Sequence, residues 1–296
     1  MDLILDLIPY LLLGIFTGVY GTVVGVGGGT VLTPVLLIVF GLNGASAAGT
    51  SLTLVAINSI SGAIGYCRAG LVDVKSGYWF AIAAIPGSVI APFFITTTPD
   101  ILFKLLLGVL LLLLAALLIL RPGEVTELVR ENELVKVKNG ANSHGNRPWN
   151  RLVAERSFKS RRGDSFRYSF NIYLATSFNV VLGFMSSFFG TGGGFIRTPL
   201  LISWFGFPVT VAAATSIFAL SIYASFGGAI HILRGNVEWY PVLVWSGAGL
   251  IIGSQLGVRL ATFVNSKWIT KVLALVLVVV GLQLVTQGIW ADIPFL

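Results

Sequence analysis

Ten apolar runs alternate with short polar or glycine-rich breaks along a chain of 296 residues. In the first half they cover residues 7–24, 29–41, 46–66, 77–95 and 101–120. In the second half they cover 171–189, 195–207, 210–232, 239–258 and 268–287. The most uniform run, Ile101 to Leu120, reads ILFKLLLGVLLLLLAALLIL, with one charge near its start. A bilayer core takes roughly 20 apolar residues as a helix. Transmembrane strands are shorter and alternate polar with apolar positions. The long leucine-rich runs predict helices, hence an all-α polytopic membrane protein with eight to ten spanning segments. The second run of each half is short. It reads as a half-span, a re-entrant hairpin, or a helix completed by the glycines before it.

Composition agrees with lipid as the solvent. Hydrophobic residues make up 55% of the chain and charged residues 10%, with a mean hydropathy of +0.90. Soluble domains carry about 25% charged residues. The opening stretch MDLILDLIPY has two aspartates, no basic n-region and no clear small-x-small cleavage site, so it does not read as a signal peptide. The lone Cys67 excludes an intrachain disulfide framework. A net charge of +7 in such a chain reports topology, and nucleic acid is not an expected partner.

The charge is concentrated between the halves. Residues 121–170 hold eleven of the nineteen basic residues: Arg121, Arg130, Lys136, Lys138, Arg147, Arg151, Arg156, Lys159, Arg161, Arg162 and Arg167. Their excess over six acids predicts a cytoplasmic loop. Its stretch Gly140 to Asn150 is turn-rich and reads as flexible. The expected organisation is a first transmembrane repeat over 1–120, this basic loop over 121–170, and a second repeat over 171–296.

The repeat is internal to the sequence. A shift of 165 residues (190 minus 25) lays Gly25-x-Gly27-Gly28-Gly29 on Gly190-x-Gly192-Gly193-Gly194, and Thr33-Pro34 on Thr198-Pro199. It also lays Thr50-Ser51 on Thr215-Ser216, Asn58 on Tyr223, and Asp73 on Glu238. One residue more lays Gly87-Ser88 on Gly253-Ser254. If all five runs of a half cross, the second half is inverted and Arg68, Lys75, Arg259 and Lys267 join the loop inside, with Asp2 and Asp6 outside. If the short runs are re-entrant, four crossings per half make the repeats parallel.

Glycine-interrupted segments at matching places of two repeats point to a transporter's substrate site. A nucleotide loop is excluded, since no Gly-Lys-Ser/Thr follows and no strand precedes. Three consecutive glycines let backbone leave helical geometry and present N–H groups to a cavity. A helix beginning there turns its positive end toward an anion. The predicted substrate-binding set is therefore Gly25, Gly27, Gly28, Gly29, Thr30, Thr33, Thr50, Ser51, Gly190, Gly192, Gly193, Gly194, Arg197, Thr198, Thr215 and Ser216. Pro34 and Pro199 are expected to kink or begin the adjoining helices. Arg197 stands where the first repeat has Leu32. A guanidinium in an apolar run is either an oxyanion ligand or a side chain snorkelling to the surface. Asn58 and Tyr223 are polar in both repeats but can equally tie helices together. His231 near a helix end reads as structural, with titration in a coupling step as the alternative. The runs offer no paired carboxylates, nucleophile–base pair or metal cluster, so no enzymatic activity, cofactor or metal is expected.

These glycine motifs, with their Thr-Pro pairs, resemble the sulfite exporter TauE/SafE family, also called the toluene sulfonate uptake permeases. The resemblance covers roughly 7–120 and 171–287, and the long basic loop departs from the family's shortest members. It implies a multi-pass transporter of a prokaryotic plasma membrane, associated with sulfite, sulfoacetate and other sulfur-containing anions. The expected function is secondary transport, in the export direction, of sulfite, an organosulfonate or a related anion. An anion channel and a non-transport membrane scaffold are the rival readings. Expected partners are the small anion and membrane lipid, with homo-oligomerisation open.

Overall fold

A computed structural model describes residues 2–120, 153–161, 163, 165–261 and 266–289. The turn-rich stretch 140–150 and most of the basic loop lie outside the described residues, as do the side chains of Asp2, Asp6 and Lys267. Each predicted apolar run is a helix. In the first half these are α1 (Asp2–Val24), α2 (Gly29–Ile38), α3 (Gly44–Ala69), α4 (Val74–Ile95) and α5 (Asp100–Leu120). In the second they are α6 (Ile172–Phe189), α7 (Gly194–Ser203), α8 (Val209–Leu233), α9 (Val244–Leu260) and α10 (Ser266–Ile289). A short π-type turn, Trp239–Leu243, leads into α9.

Among the described residues six helices are long and apolar enough to cross a membrane: α1, α3, α4, α6, α8 and the π turn with α9. Helices α5 and α10 reach similar length, with 21 and 24 residues. Counting them gives eight helices of spanning length among the described residues. Helices α2 and α7 have ten residues each. At 1.5 Å per residue that is about 15 Å, half a bilayer.

The direction of each helix follows from its close contacts. Gly14 of α1 faces the backbone of Ser246, Gly18 that of Leu250 and Gly253, while Gly257 faces Val19 and Thr22. Both numbers rise together, so α1 and α9 are parallel. The glycines let the two backbones meet where any Cβ would collide with a carbonyl. In the repeat-matched pair α4–α6, Gly87 meets the Val180 carbonyl as Gly253 meets that of Ile15. In contrast, Gly62 of α3 faces Ile217 whereas Gly227 of α8 faces Leu52, so α3 and α8 run antiparallel. Gly108 and Gly288 set α5 against α10 in the same antiparallel sense. Each helix thus packs against its own counterpart in opposite sense, or trades partners with the other half. That is a two-fold exchange whose axis crosses the helices, and it inverts the halves.

The half-helices double back. After α1 the glycine turn returns beside it, with Gly28 against Thr17, and at the far end of α2 the Phe40 ring stacks on Tyr10 at 4.8 Å. In the second half Gly193 lies against Leu182, and Trp204 meets Phe178 edge-on at 5.9 Å. The sequence left two alternatives: short runs that cross, giving inverted halves, or short runs that re-enter, giving parallel ones. Because α2 carries the chain back to the end where α1 began, α3, α4 and α5 remain an odd number of further passages, and the halves are inverted.

The central loop supplies the one departure from an all-helical chain among the described residues. Strands β1 (Val153–Lys159) and β2 (Ser165–Asn171) form an antiparallel hairpin. Strand β2 alternates exposed and buried positions, and Phe166, Tyr168 and Phe170 face inward. Tyr168 and Phe170 pack on Phe207 in the α7–α8 turn, at 4.3 and 4.8 Å. The hairpin also grips the start of α4. The Asp73 carboxylate pairs with Arg156 Nε at 3.2 Å and accepts from the Tyr168 hydroxyl at 2.8 Å. Burial pushes the Tyr168 hydroxyl well above the ordinary tyrosine range, and the Asp73 charge raises it further. The hairpin therefore joins the two halves at one end of the bundle. At the other end the matching Glu238 is exposed.

Candidate functional site

The two glycine turns meet in the middle of the bundle. Gly27 and Gly192 are each bounded by the same two side chains, Val55 and Leu220. These are the twelfth residues of 26-residue α3 and 25-residue α8, and the repeat maps one onto the other. Each turn also touches its partner: Gly29 abuts Gly190 and Thr191, and Gly194 abuts Gly25 and Val26. Gly25, Gly27, Gly28, Gly190, Gly192 and Gly193 all have positive φ, from 59° to 87°. Only glycine adopts such a run cheaply, since other residues lose roughly 1–2 kcal/mol each in left-handed geometry. Helices α2 and α7 start at the crossing with no side-chain cap. Their positive ends therefore converge there.

The expected donors divide into two groups. Thr198 donates from Oγ1 to the Gly25 carbonyl at 3.0 Å, and Ser51 from Oγ to the Gly190 carbonyl at 2.8 Å. These cross-repeat bonds hold the turns in register. The hydroxyls of Thr33 and Ser216 occupy the matching positions, are buried, and have no partner. Thr30 is buried in the first turn of α2. Thr50 and Thr215 depart from the expectation that they line the cavity. Thr50 Oγ1 accepts from the Glu238 amide at 2.8 Å, and Thr215 Oγ1 from the Asp73 amide at 3.0 Å. Both satisfy a free N–H where a later helix begins. Pro34 and Pro199 begin neither half-helix. Each is its sixth residue and removes the bond to the carbonyl four places back, on Thr30 or Phe195.

Arg197 is the central finding. It lies in the first turn of α7, its amide bonded to the Gly193 carbonyl at 3.1 Å. It is 1% exposed, which removes the snorkelling alternative. Nε donates to Asn179 Oδ1 at 2.6 Å, and Nη1 reaches the Ser216 carbonyl at 3.4 Å. The guanidinium carbon sits 4.8 Å from the centre of the Tyr223 ring. Nη2 has no partner, and no ion pair among the described residues includes Arg197. An isolated buried charge is costly, by several kcal/mol even after relaxation. A dipole, a carbonyl and a ring face offset only part of that.

The residues around Arg197 include two that sequence reasoning left out. Asn179 presents its oxygen to the guanidinium because its Nδ2 donates to the Ala175 carbonyl at 2.7 Å. Its signal in the sequence was a lone amide inside an apolar run, at the place where the first repeat has Gly14. Tyr223 donates its hydroxyl to the Gly192 carbonyl at 2.8 Å and so links the glycine turn to the arginine above its ring. Its repeat partner Asn58 leaves its Nδ2 unpaired, with its Oδ1 3.5 Å from Thr22 Oγ1. His231 meets the Ser187 carbonyl at 3.1 Å, as its repeat counterpart Tyr66 meets the carbonyl of Thr22 at 2.9 Å. That pairing supports a structural role. No group of three or more potential metal ligands occurs among the described residues.

Comparison with known proteins places this arrangement. A family model described as "Sulfite exporter TauE/SafE" matches residues 10–284. The probable membrane transporter protein YunE of Bacillus subtilis is 28% identical over 287 residues, covering 94% of this chain and 97% of the relative. A probable membrane transporter protein of Methanocaldococcus jannaschii is 25% identical over 292 residues, covering 93% of this chain and 94% of the relative. The probable membrane transporter protein YjnA of Bacillus subtilis is 24% identical over 287 residues, covering 94% and 99%. No solved structure matches the chain.

Proposed function

From the premise that this chain belongs to the sulfite exporter TauE/SafE family of membrane transporters, we propose that it is a secondary exporter of sulfite, an organosulfonate or a related small sulfur-containing anion. The observation that carries this reading is Arg197, a wholly buried guanidinium with no carboxylate partner among the described residues and one free Nη, beside a crossing of two glycine turns. An oxyanion there completes the missing charge and takes paired N–H donors. The helix starts at Gly29 and Gly194 add their positive ends, and the free hydroxyls of Thr33 and Ser216 supply further donors.

Transport follows by alternating access. The halves 1–120 and 171–296 rock about the crossing, where Val55 and Leu220 close on both turns. Arg68, Lys75 and Arg259 are exposed at the hairpin end, which makes that end cytoplasmic by the positive-inside rule in a plasma membrane. Outward movement of an anion is then driven by the interior-negative potential, about 2.3 kcal/mol per charge per 100 mV. The test is flux of radiolabelled sulfite and several sulfonates in proteoliposomes of known protein orientation. Saturable, Arg197-dependent flux is expected. Absence of flux across the whole panel, with folded protein, would remove the transport reading.

A further inference from the structure

Resting on that anion-transport reading, we infer that the Arg197 site is built for an anion of one negative charge and discriminates against dianions. The groups that hold the guanidinium among the described residues are neutral: the Asn179 amide oxygen, the Ser216 carbonyl and the Tyr223 ring. The ion pairs among the described residues lie elsewhere. Asp73 with Arg156 is at the hairpin end, and Arg167 with Glu155 is on the hairpin's exposed edge. The site therefore carries one buried positive charge that no ion pair among the described residues compensates.

The energy of a charge in low dielectric grows with its square, so what matters is the net charge left after binding. A monoanion brings the site to zero. A dianion brings it to minus one, which reverses the sign of the burden without reducing it. A sulfonate or hydrogen sulfite head carries that single charge spread over its oxygens, and Nη2 of Arg197 is free to donate to it.

Methanesulfonate and sulfate share a tetrahedral head and differ by one methyl for one charged oxygen. Equilibrium binding of each to the purified full-length protein is the test, with wild type beside Arg197→Gln and Asn179→Asp. Wild type is expected to bind methanesulfonate at least about tenfold more tightly than sulfate, and Arg197→Gln to lose binding of both. Asn179→Asp is isosteric and sets a carboxylate where Oδ1 now lies 2.6 Å from Nε. It is expected to keep or raise the melting temperature and to weaken methanesulfonate binding by about a hundredfold, because the charge is already balanced. Sulfate binding as tightly as methanesulfonate, with both lost in Arg197→Gln, would overturn the charge preference and leave anion transport standing. Undiminished methanesulfonate binding by Asn179→Asp would overturn it too. Failure of the wild type to bind either anion would remove the underlying reading with it.

Discussion

The two halves of this bundle share their glycine turns and their half-helices, yet one of them buries a charge and the other does not. Around Arg197 stand Asn179, Ser216 and Tyr223; the repeat has Leu32 in place of the arginine and Gly14, Ser51 and Asn58 in place of these three. In the first half Gly14 lets α1 press on the Ser246 backbone, and Ser51 bonds the Gly190 carbonyl. The same positions in the second half hold a guanidinium and leave a hydroxyl free. Under the transport reading, one copy of the motif serves packing and the other chemistry. Symmetry in an inverted repeat then defines a scaffold, and its local failure at Arg197 is where that reading puts the ligand.

This contrast can be broken by substitution. The largest effect is expected from Arg197→Gln, which under the transport reading lowers flux and anion affinity by about a hundredfold or more, the loss of a charge-assisted pair. Its melting temperature should hold or rise, because an unpaired buried charge is removed. A fall in both would mean that Arg197 serves stability alone. Next comes the comparison of Asp73 with Glu238. Asp73→Asn strips the partially buried Arg156 of its carboxylate, and denaturation should show a loss of about 3 kcal/mol. Glu238→Gln, at an exposed mate without a described ion pair, should change stability by less than about 0.5 kcal/mol. Equal losses would deny the hairpin its role as a clamp.

Smaller still is Asn179→Ala, expected to weaken anion binding about tenfold, since the guanidinium loses the bond that aims it. The smallest effect is a pH dependence. Tyr168 titrates higher in the folded protein than in the unfolded chain, chiefly through burial. Its contribution is complete below the ordinary tyrosine value near 10 and is lost as pH rises from there toward the folded value. Unfolding midpoints measured at rising alkaline pH should fall less steeply in Tyr168→Phe than in wild type.

Much of the fold was legible because lipid imposes a simple rule on sequence. The ten runs, the all-helical bundle and the glycine turns follow from apolar length and positive-φ residues. The doubling back of α2 was harder to read. Ten apolar residues after a flexible turn can continue or return, and the Tyr10–Phe40 stack that marks the return joins positions thirty residues apart. The hairpin was missed because its alternating strand sits in a charged segment whose composition already had a topological explanation. At the site, Arg197 stood out by cost alone. Thr50 and Thr215 misled because a paired polar residue looks the same whether it serves a ligand or caps a helix. Asn179 was invisible to a search for repeated residues, since its mate is glycine.

The hairpin has a thermodynamic consequence. Two inverted halves without ornament would have end states related by symmetry and equal in free energy, so the carrier would rest half its time facing each way. Under the alternating-access proposal, a strand pair fastened across one end by Asp73, Arg156 and Phe207 favours whichever of those states keeps it fastened. Each 1.4 kcal/mol so added shifts the resting populations tenfold. On that proposal, a short hairpin at one end of the bundle weights the equilibrium of all the helices behind it and gives the carrier a preferred posture.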